Sequence, residues 1–527
     1  MTTTSASDLL PPPPERFNLA RWCLDENVRL RGDKVAMILA HPEGDGFTDE
    51  RWTFREFEDC ILRMAAGLEA TGKLQRGDRV MLRLENGIDY CLLFFACLAG
   101  GYVPLPSSSQ LTAEEASFLL SDSGSRAIAM ADGLALDDVP ADVLILTPKA
   151  VHDLRTFARR NEFADTAAND PAFLIYTSGT TGRPKGVQHA HRTGWGRQPM
   201  YDGWIDHSDT DVMLHAGRFN WTYTLGVGLF DPWARGATAV LFNGEARQDI
   251  WPRMIETYGT TLFAAVPGVY RQMMKYNDLA DYNLSSLRHA LVSGEAMPPA
   301  LRDQWRTETG LEMYEALGMS EFSTYVSSSP RVPVRVGSPG RPQAGRRIAV
   351  LSRDTADGDD PLPAGETGML AVHRDEAGLM LGYWNRPEED ALVYRGDWFC
   401  GGDLAAIDED GYLWYHGRND DLMNAMGYRV SPLEVEHALS AHPDIAEVAV
   451  TEVRISDQVS IICAFVVPKD ADNADAANIL NFAQTHLARY KCPREVIFIE
   501  ALPRTANGKV RRRSLPEFHA SAANKLL

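Results

Sequence analysis

Strand-like apolar runs recur at residues 79–84, 127–131, 143–146, 212–215, 238–242 and 290–292, each separated from the next by a segment long enough for a helix. This rhythm confines the chain to an α/β architecture, because each intervening helix must bury its apolar face on the sheet the strands build. Residues 53–71 carry helical spacing, and Gly100, Gly101, Pro104 and Pro106 punctuate the chain further on. Between 350 and 415 the pattern shifts to short strands around turns, which predicts a β-rich subdomain at about 345–418. Beyond Arg418 it changes again: 432–442 and 479–488 read as helices, 446–452 and 461–467 as strands. The expected organisation is a large N-terminal domain, 1–419, of doubly wound α/β subdomains plus the β-rich one, followed by a small α+β C-terminal domain, 420–527.

With 527 residues, 45% hydrophobic and 24% charged, the chain has the balance of a protein that buries large cores. A formal net charge of −20 repels phosphate backbones, so no nucleic-acid partner is expected. Residues 1–16 lack the basic and apolar regions of a secretory signal, and the apolar stretch 91–99 is far short of the run of about 20 residues that a membrane helix needs. It is expected as a core helix, with no membrane span. The seven cysteines are odd in number and form no C-x-x-C pair, which suggests neither disulfides nor zinc and leads to an expected cytoplasmic location. His189 and His191 have no third ligand nearby in sequence and read as local hydrogen-bonding groups.

The most informative run follows the apolar segment 172–175: Tyr176-Thr177-Ser178-Gly179-Thr180-Thr181-Gly182-Arg183-Pro184-Lys185-Gly186. Glycines let backbone N–H groups approach an anion without side-chain obstruction, while the hydroxyls and Lys185 supply further donors. The loop suits phosphate oxygens. It is not a Walker A sequence, because Pro184 precedes Lys185 and Gly186 follows it where Gly-Lys-Ser/Thr is required. A Ser/Thr/Gly surface turn is the bland alternative.

Residues 176–186 resemble, position for position, the signature loop of the adenylate-forming superfamily, which comprises acyl- and aryl-CoA ligases, carrier-protein adenylation domains and beetle luciferases. Further runs match in the family's order: Gly294-Glu295, Gly318-Met319-Ser320-Glu321, Trp398-Phe399-Cys400-Gly401-Gly402-Asp403-Leu404, Gly417-Arg418-Asn419-Asp420-Asp421 and Pro503-Arg504-Thr505-Ala506-Asn507-Gly508-Lys509. The resemblance implies two steps: a carboxylate attacks the α-phosphate of ATP to give acyl-AMP and pyrophosphate, and the thiol of coenzyme A then displaces AMP. ATP, Mg²⁺ and coenzyme A are the cofactors so implied, with a small-molecule carboxylic acid as substrate and a C-terminal domain that moves between steps.

Roles carried over by resemblance fall on particular residues. Thr177, Ser178, Gly179, Thr180, Thr181, Gly182 and Lys185 bind the nucleotide, as do Gly318, Met319 and Ser320, where Ser320 keeps the hydroxyl of a more usual threonine. Gly294, Glu295 and Ala296 line the adenine side, and Asp403 with Arg418 offers acceptor and donor to the ribose diol. Tyr415 either helps close that site or packs in the core. Glu321 takes the metal-binding position, where a carboxylate oxygen suits Mg²⁺. Catalysis is assigned to Lys509, Glu321 and Thr180; the Lys509 ammonium can reach a carboxylate and an α-phosphate together, against the rival view that Lys509 to Arg513 is a basic tail. Lys509 is also a candidate target for a lysine acyltransferase. Asp420 matches the hinge and Gly427 the coenzyme A side, although residues 422–426 depart from the family's usual Ile-Lys before that glycine.

The segment 219–226 resembles the gate and acyl pocket of benzoate-type CoA ligases, with Trp221, Thr222 and Tyr223 as pocket residues and Leu317, Phe322 and Thr324 as the far wall. Flat aromatic walls suit an aryl or a compact to medium-chain aliphatic acid. The expected activity is therefore that of a carboxylic acid:CoA ligase, with a carrier-protein-loading adenylation enzyme and a non-catalytic nucleotide sensor as the alternatives.

Overall fold

The computed structural model describes residues 9–177, 184–245, 247–354, 358–421, 423–425, 428–456, 459–487, 489, 491–505 and 509–524. Ser178, Gly179, Thr180, Thr181, Gly182 and Gly427 lie outside the described residues, as does the side chain of Asp420. The chain divides into two compact units, one formed by residues 2–348 with 372–399 and the other by 349–371 with 400–527.

The larger unit is mixed α/β. Its nine-stranded sheet runs in the order Arg341–Pro342, Ser323–Ser327, Met313–Met319, His289–Ser293, Leu262–Ala265, Val212–His215, Thr238–Phe242, Val35–Glu43, Gly46–Thr53. Pairing is parallel from Met313–Met319 through Val35–Glu43 and antiparallel at both edges. The central strands are fully buried, which is why they read in sequence as unbroken apolar runs rather than alternating ones. A second, parallel sheet orders Val103–Pro106, Arg79–Arg83, Ala127–Met130 and Leu144–Leu146.

Helix boundaries follow local chemistry. Phe54–Ala70 opens on a reciprocal cap between Thr53 and Glu56, and Ala113–Ser123 on the same device between Thr112 and Glu115 before Gly124 ends it in the left-handed region. The stretch expected as a core helix is one: Ile88–Gly100 is buried on every side, as an all-apolar helix must be in water. Burying one of its Leu or Phe side chains contributes about 1.5–3 kcal/mol.

The smaller unit is α+β. Trp398–Ile407 pairs antiparallel with Leu413–Arg418, and Ile445–Ser456 with Val459–Pro468, which takes Glu495–Phe498 as a parallel neighbour. Pro432–Ser440 and Ala476–His486 cover this second sheet through Val435, Leu439, Ile479 and Ala483. Among the described residues no helix is long and apolar enough to cross a membrane.

Candidate active site

In the larger unit, the signature run forms the end of a hairpin. Pro171–Thr177 and Lys185–Ala190 pair antiparallel, with Tyr176 opposite Gly186 and Thr177 opposite Lys185. A strand, not a helix, follows the loop, so no helix N-terminus adds its dipole. The hairpin is tied down at Asp122: Tyr176 donates to Oδ2 at 2.6 Å, Arg386 to Oδ1 at 2.6 Å, and the Trp384 indole to the backbone carbonyl at 3.1 Å. Burial, then the hydrogen bond to Asp122 and that carboxylate's charge, pushes the Tyr176 phenol well up, so it stays a donor. Lys185 Nζ stands 3.3 Å from Glu389 and 3.6 Å from the ring centre of Tyr383.

A second hairpin carries Glu321. Met313–Met319 returns as Ser323–Ser327, with Met319 opposite Ser323 and Ser320, Glu321 and Phe322 at the turn. Gly318 is required by the bulge beneath it, since a β-carbon there would lie 2.7 Å from the Ser323 carbonyl oxygen. Ser323 has φ +96°, a conformation that side chains avoid, and its hydroxyl accepts from Arg197 at 2.6 Å. Arg197 in turn makes two 2.7 Å bonds to the buried Asp231. His189 donates to the Ser320 carbonyl at 2.8 Å, and the Met380 N–H to the Glu321 carbonyl at 2.8 Å. The Glu321 carboxylate accepts from the Tyr383 hydroxyl at 2.8 Å on Oε1. Carboxylate oxygens at a half-buried turn are the donor chemistry that Mg²⁺ takes.

Near these hairpins the aromatic gate meets the adenine-side segment. A β-carbon built on Gly294, whose φ is +97°, would lie 3.3 Å from Cη2 of Trp221, so the indole rests over bare backbone. Trp221 and Tyr223 are perpendicular with ring centres 5.2 Å apart. Tyr223 is buried between Trp204 and His215, whereas Thr222 and Leu317 are half-buried. Thr324 Oγ1 is buried without a hydrogen-bond partner among the described residues. The Phe322 ring is fully buried under the Arg346 guanidinium, 4.6 Å away, in the interior behind the turn. Glu295 and Ala296 follow strand His289–Ser293, and the next residue is pinned by the Met297 N–H bond to Glu315 at 3.0 Å.

In the smaller unit Asp403 lies opposite Arg418 in register, with Arg418 Nη1 3.7 Å from Oδ1. Tyr415 donates to the same oxygen at 2.8 Å, which places it at this pair rather than in the core at large. Asp420 follows in the turn Asn419–Asp421. Lys509 is exposed, and its backbone is tied to Thr505: the Thr505 N–H donates to the Lys509 carbonyl at 2.7 Å and the Lys509 N–H to Thr505 Oγ1 at 3.1 Å. Arg512 is ion-paired to Glu436 at 2.5 Å, which ties this part of the basic run to helix Pro432–Ser440.

Arg197, Asp231, His215 and Tyr383 are absent from the sequence-based set. Each partners a residue remote in the chain or sits in an apolar run, so no local motif pointed to it. His189 and His191 are hydrogen-bonding groups, but their partners are remote in the chain and not local as expected: His189 donates to the Ser320 carbonyl and His191 accepts from the Leu19 N–H at 3.1 Å.

Residues 24–384 match the model of the AMP-binding enzyme family and 434–509 that of its C-terminal domain. The mouse acyl-coenzyme A synthetase ACSM3 is 32% identical over 534 residues, covering 95% of this chain and 90% of the relative. The anthranilate CoA ligase AuaEII, solved with anthranoyl-AMP, superposes with a TM-score of 0.86 at 27% identity over 97% of this chain and 99% of that one. The benzoate CoA ligase of Burkholderia xenovorans LB400 gives 0.83 at 28% identity over 95% and 100%. The chain belongs to the AMP-binding enzyme family. Within the adenylate-forming superfamily it is an AMP-forming acyl/aryl-CoA ligase that uses ATP, a carboxylic acid and coenzyme A. The expected cytoplasmic location is overturned: the mammalian relatives ACSM3, ACSM4 and ACSM5 are named as mitochondrial proteins. All seven cysteines are buried and outside any disulfide, which speaks to redox conditions and not to an address.

Proposed function

We propose that this ligase activates an aryl acid, or a compact to medium-chain aliphatic one, in a slot walled by Trp221, Thr222, Tyr223, Leu317 and Thr324 and backed by Phe322. The observation that carries this reading is the Trp221 indole over Gly294 with Tyr223 perpendicular to it, a flat aromatic wall beside the adenine-side backbone. Relatives whose names specify anthranilate and benzoate as acids support it.

The carboxylate and the α-phosphate are both anions, so their approach must be neutralised. In this reading Lys509 reaches both, while Lys185, Thr177, Thr180 and the other signature residues hold the phosphates. Asp403 and Arg418 hold the ribose, with Tyr415 fixing the carboxylate, and Gly294, Glu295 and Ala296 take the base. Gly318, Met319 and Ser320 carry the chain past the nucleotide to Glu321. Mg²⁺ belongs to the same reading; Glu321 would hold it, and when bound it neutralises phosphate charge. Asp420 serves as the hinge between 1–419 and 420–527, and Gly427 admits the thiol. Lys509 is exposed enough to be acylated by a lysine acyltransferase, which mass spectrometry of cell-derived protein tests.

A panel of carboxylic acids with ATP, Mg²⁺ and coenzyme A, read by the mass of the thioester, tests the substrate class. Turnover of benzoate-like and short acids is expected; turnover confined to long chains would refute the slot.

A further inference from the structure

Tyr383 uses two parts of one side chain on two different hairpins. Its hydroxyl donates to Glu321 Oε1 at 2.8 Å, while the Lys185 ammonium sits 3.6 Å from its ring centre, within the range where a cation is held by an aromatic face. The fully buried Tyr270, by contrast, donates to the backbone carbonyls of Phe263 and Leu291. Tyr383 is itself held firmly. It pairs with Val187 across the sheet that carries the signature hairpin, its N–H donates to Asp390 at 2.9 Å, and its side chain is buried. Glu389 supplies the counter-charge to Lys185 at 3.3 Å.

We propose that Tyr383 is a positioning residue that couples the phosphate-loop lysine to the metal-binding glutamate, so that both are set before the metal–nucleotide complex arrives. This rests on the reading of Lys185 as a phosphate contact and Glu321 as the metal ligand. The hydroxyl fixes the carboxylate through Oε1, and the described residues place no donor on Oε2. The ring, together with Glu389, holds a long, flexible lysine that would otherwise be ordered only on binding. Replacement of a group that orients a metal ligand typically weakens the metal by about 10- to 100-fold.

The test uses the full chain, Mn²⁺ as the probe ion and a non-hydrolysable ATP analogue without acid, so that binding is read without turnover. Free Mn²⁺ is followed by electron paramagnetic resonance, analogue affinity by calorimetry, and folding by thermal melts. Tyr383→Phe keeps the ring and should weaken Mn²⁺ by about tenfold while changing metal-free analogue affinity by less than about twofold. Tyr383→Leu should weaken both. Wild-type Mn²⁺ affinity in Tyr383→Phe, with Glu321→Gln impaired, overturns the coupling alone. Unchanged Mn²⁺ binding in Glu321→Gln overturns the metal reading and the coupling with it.

Discussion

The indole of Trp221 lies over Gly294, 73 residues further along the chain, close enough that a β-carbon there would stand 3.3 Å from its Cη2. Gly294→Ala meets two obstacles at once: the φ of +97° strains any side chain, and the new methyl presses on the indole. Backbone strain of this kind costs about 1–3 kcal/mol. The variant should melt several degrees lower and show raised KM values for the acid, through the displaced indole, and for ATP, through the adenine-side backbone, with a smaller change for coenzyme A. Steady-state kinetics with each substrate varied in turn, alongside thermal melts, decides it; an equal rise in the KM for coenzyme A would show that the Trp221–Gly294 contact does not set the acid and adenine sides.

The buried Arg197–Asp231 pair supports the strained Ser323 two residues past Glu321. Removing one member leaves the other charge buried and unpaired, at a cost of about 3–5 kcal/mol. Asp231→Ala should therefore lower the denaturant midpoint strongly. The KM for ATP should rise more than that for coenzyme A, because the Glu321 turn loses its anchor. A midpoint within experimental error of the wild type would show that the pair carries no net stability.

Much of this was legible in the sequence wherever the information is contiguous. Strands such as Thr238–Phe242 and Ala127–Met130 are buried on both faces, and helix Ile88–Gly100 is apolar all round, so each announces itself locally. The signature and Glu321 runs are likewise continuous strings. The return strand Lys185–Ala190 was not legible, because its residues are short of apolar alternation and its partner is set by the hairpin. The Tyr383–Glu321 bond, across 62 residues, and the Arg197–Asp231 pair, across 34, belong to tertiary packing and leave no trace in local pattern.

Lys509 is exposed and its backbone is held by Thr505, an arrangement that presents an ammonium without burying it. If that charge neutralises the meeting anions of the first step only, Lys509→Ala should cut adenylation by about 10²–10³. Thioester formation from supplied acyl-AMP should be nearly intact. Pyrophosphate release measures the first half-reaction and mass detection of the thioester the second; parallel loss of both contradicts the assignment.

His189, His191, His215 and His289 are buried, and burial above all holds them at about 4, 4, 3 and 4. Arg192 and Arg197 push His189 the same way and Arg288 does so for His289; the Ser320 carbonyl opposes at His189, Asp170 at His191, and the Ile205 carbonyl, then Asp206 with Asp211, at His289. Each folded-state value lies below the unfolded value of about 6.5, so between roughly pH 4 and 6.5 the unfolded chain binds more protons. Stability is thus fully present above that window and is lost as the pH falls through it, by about 2 kcal/mol per histidine between pH 7 and 5. Asp211, also held low, acts below this range. Urea midpoints should fall steeply from pH 7 to pH 5, and His215→Gln, which removes one titrating ring, should flatten the slope measurably. A midpoint independent of pH across that interval would mean that these imidazoles are not neutral in the folded chain.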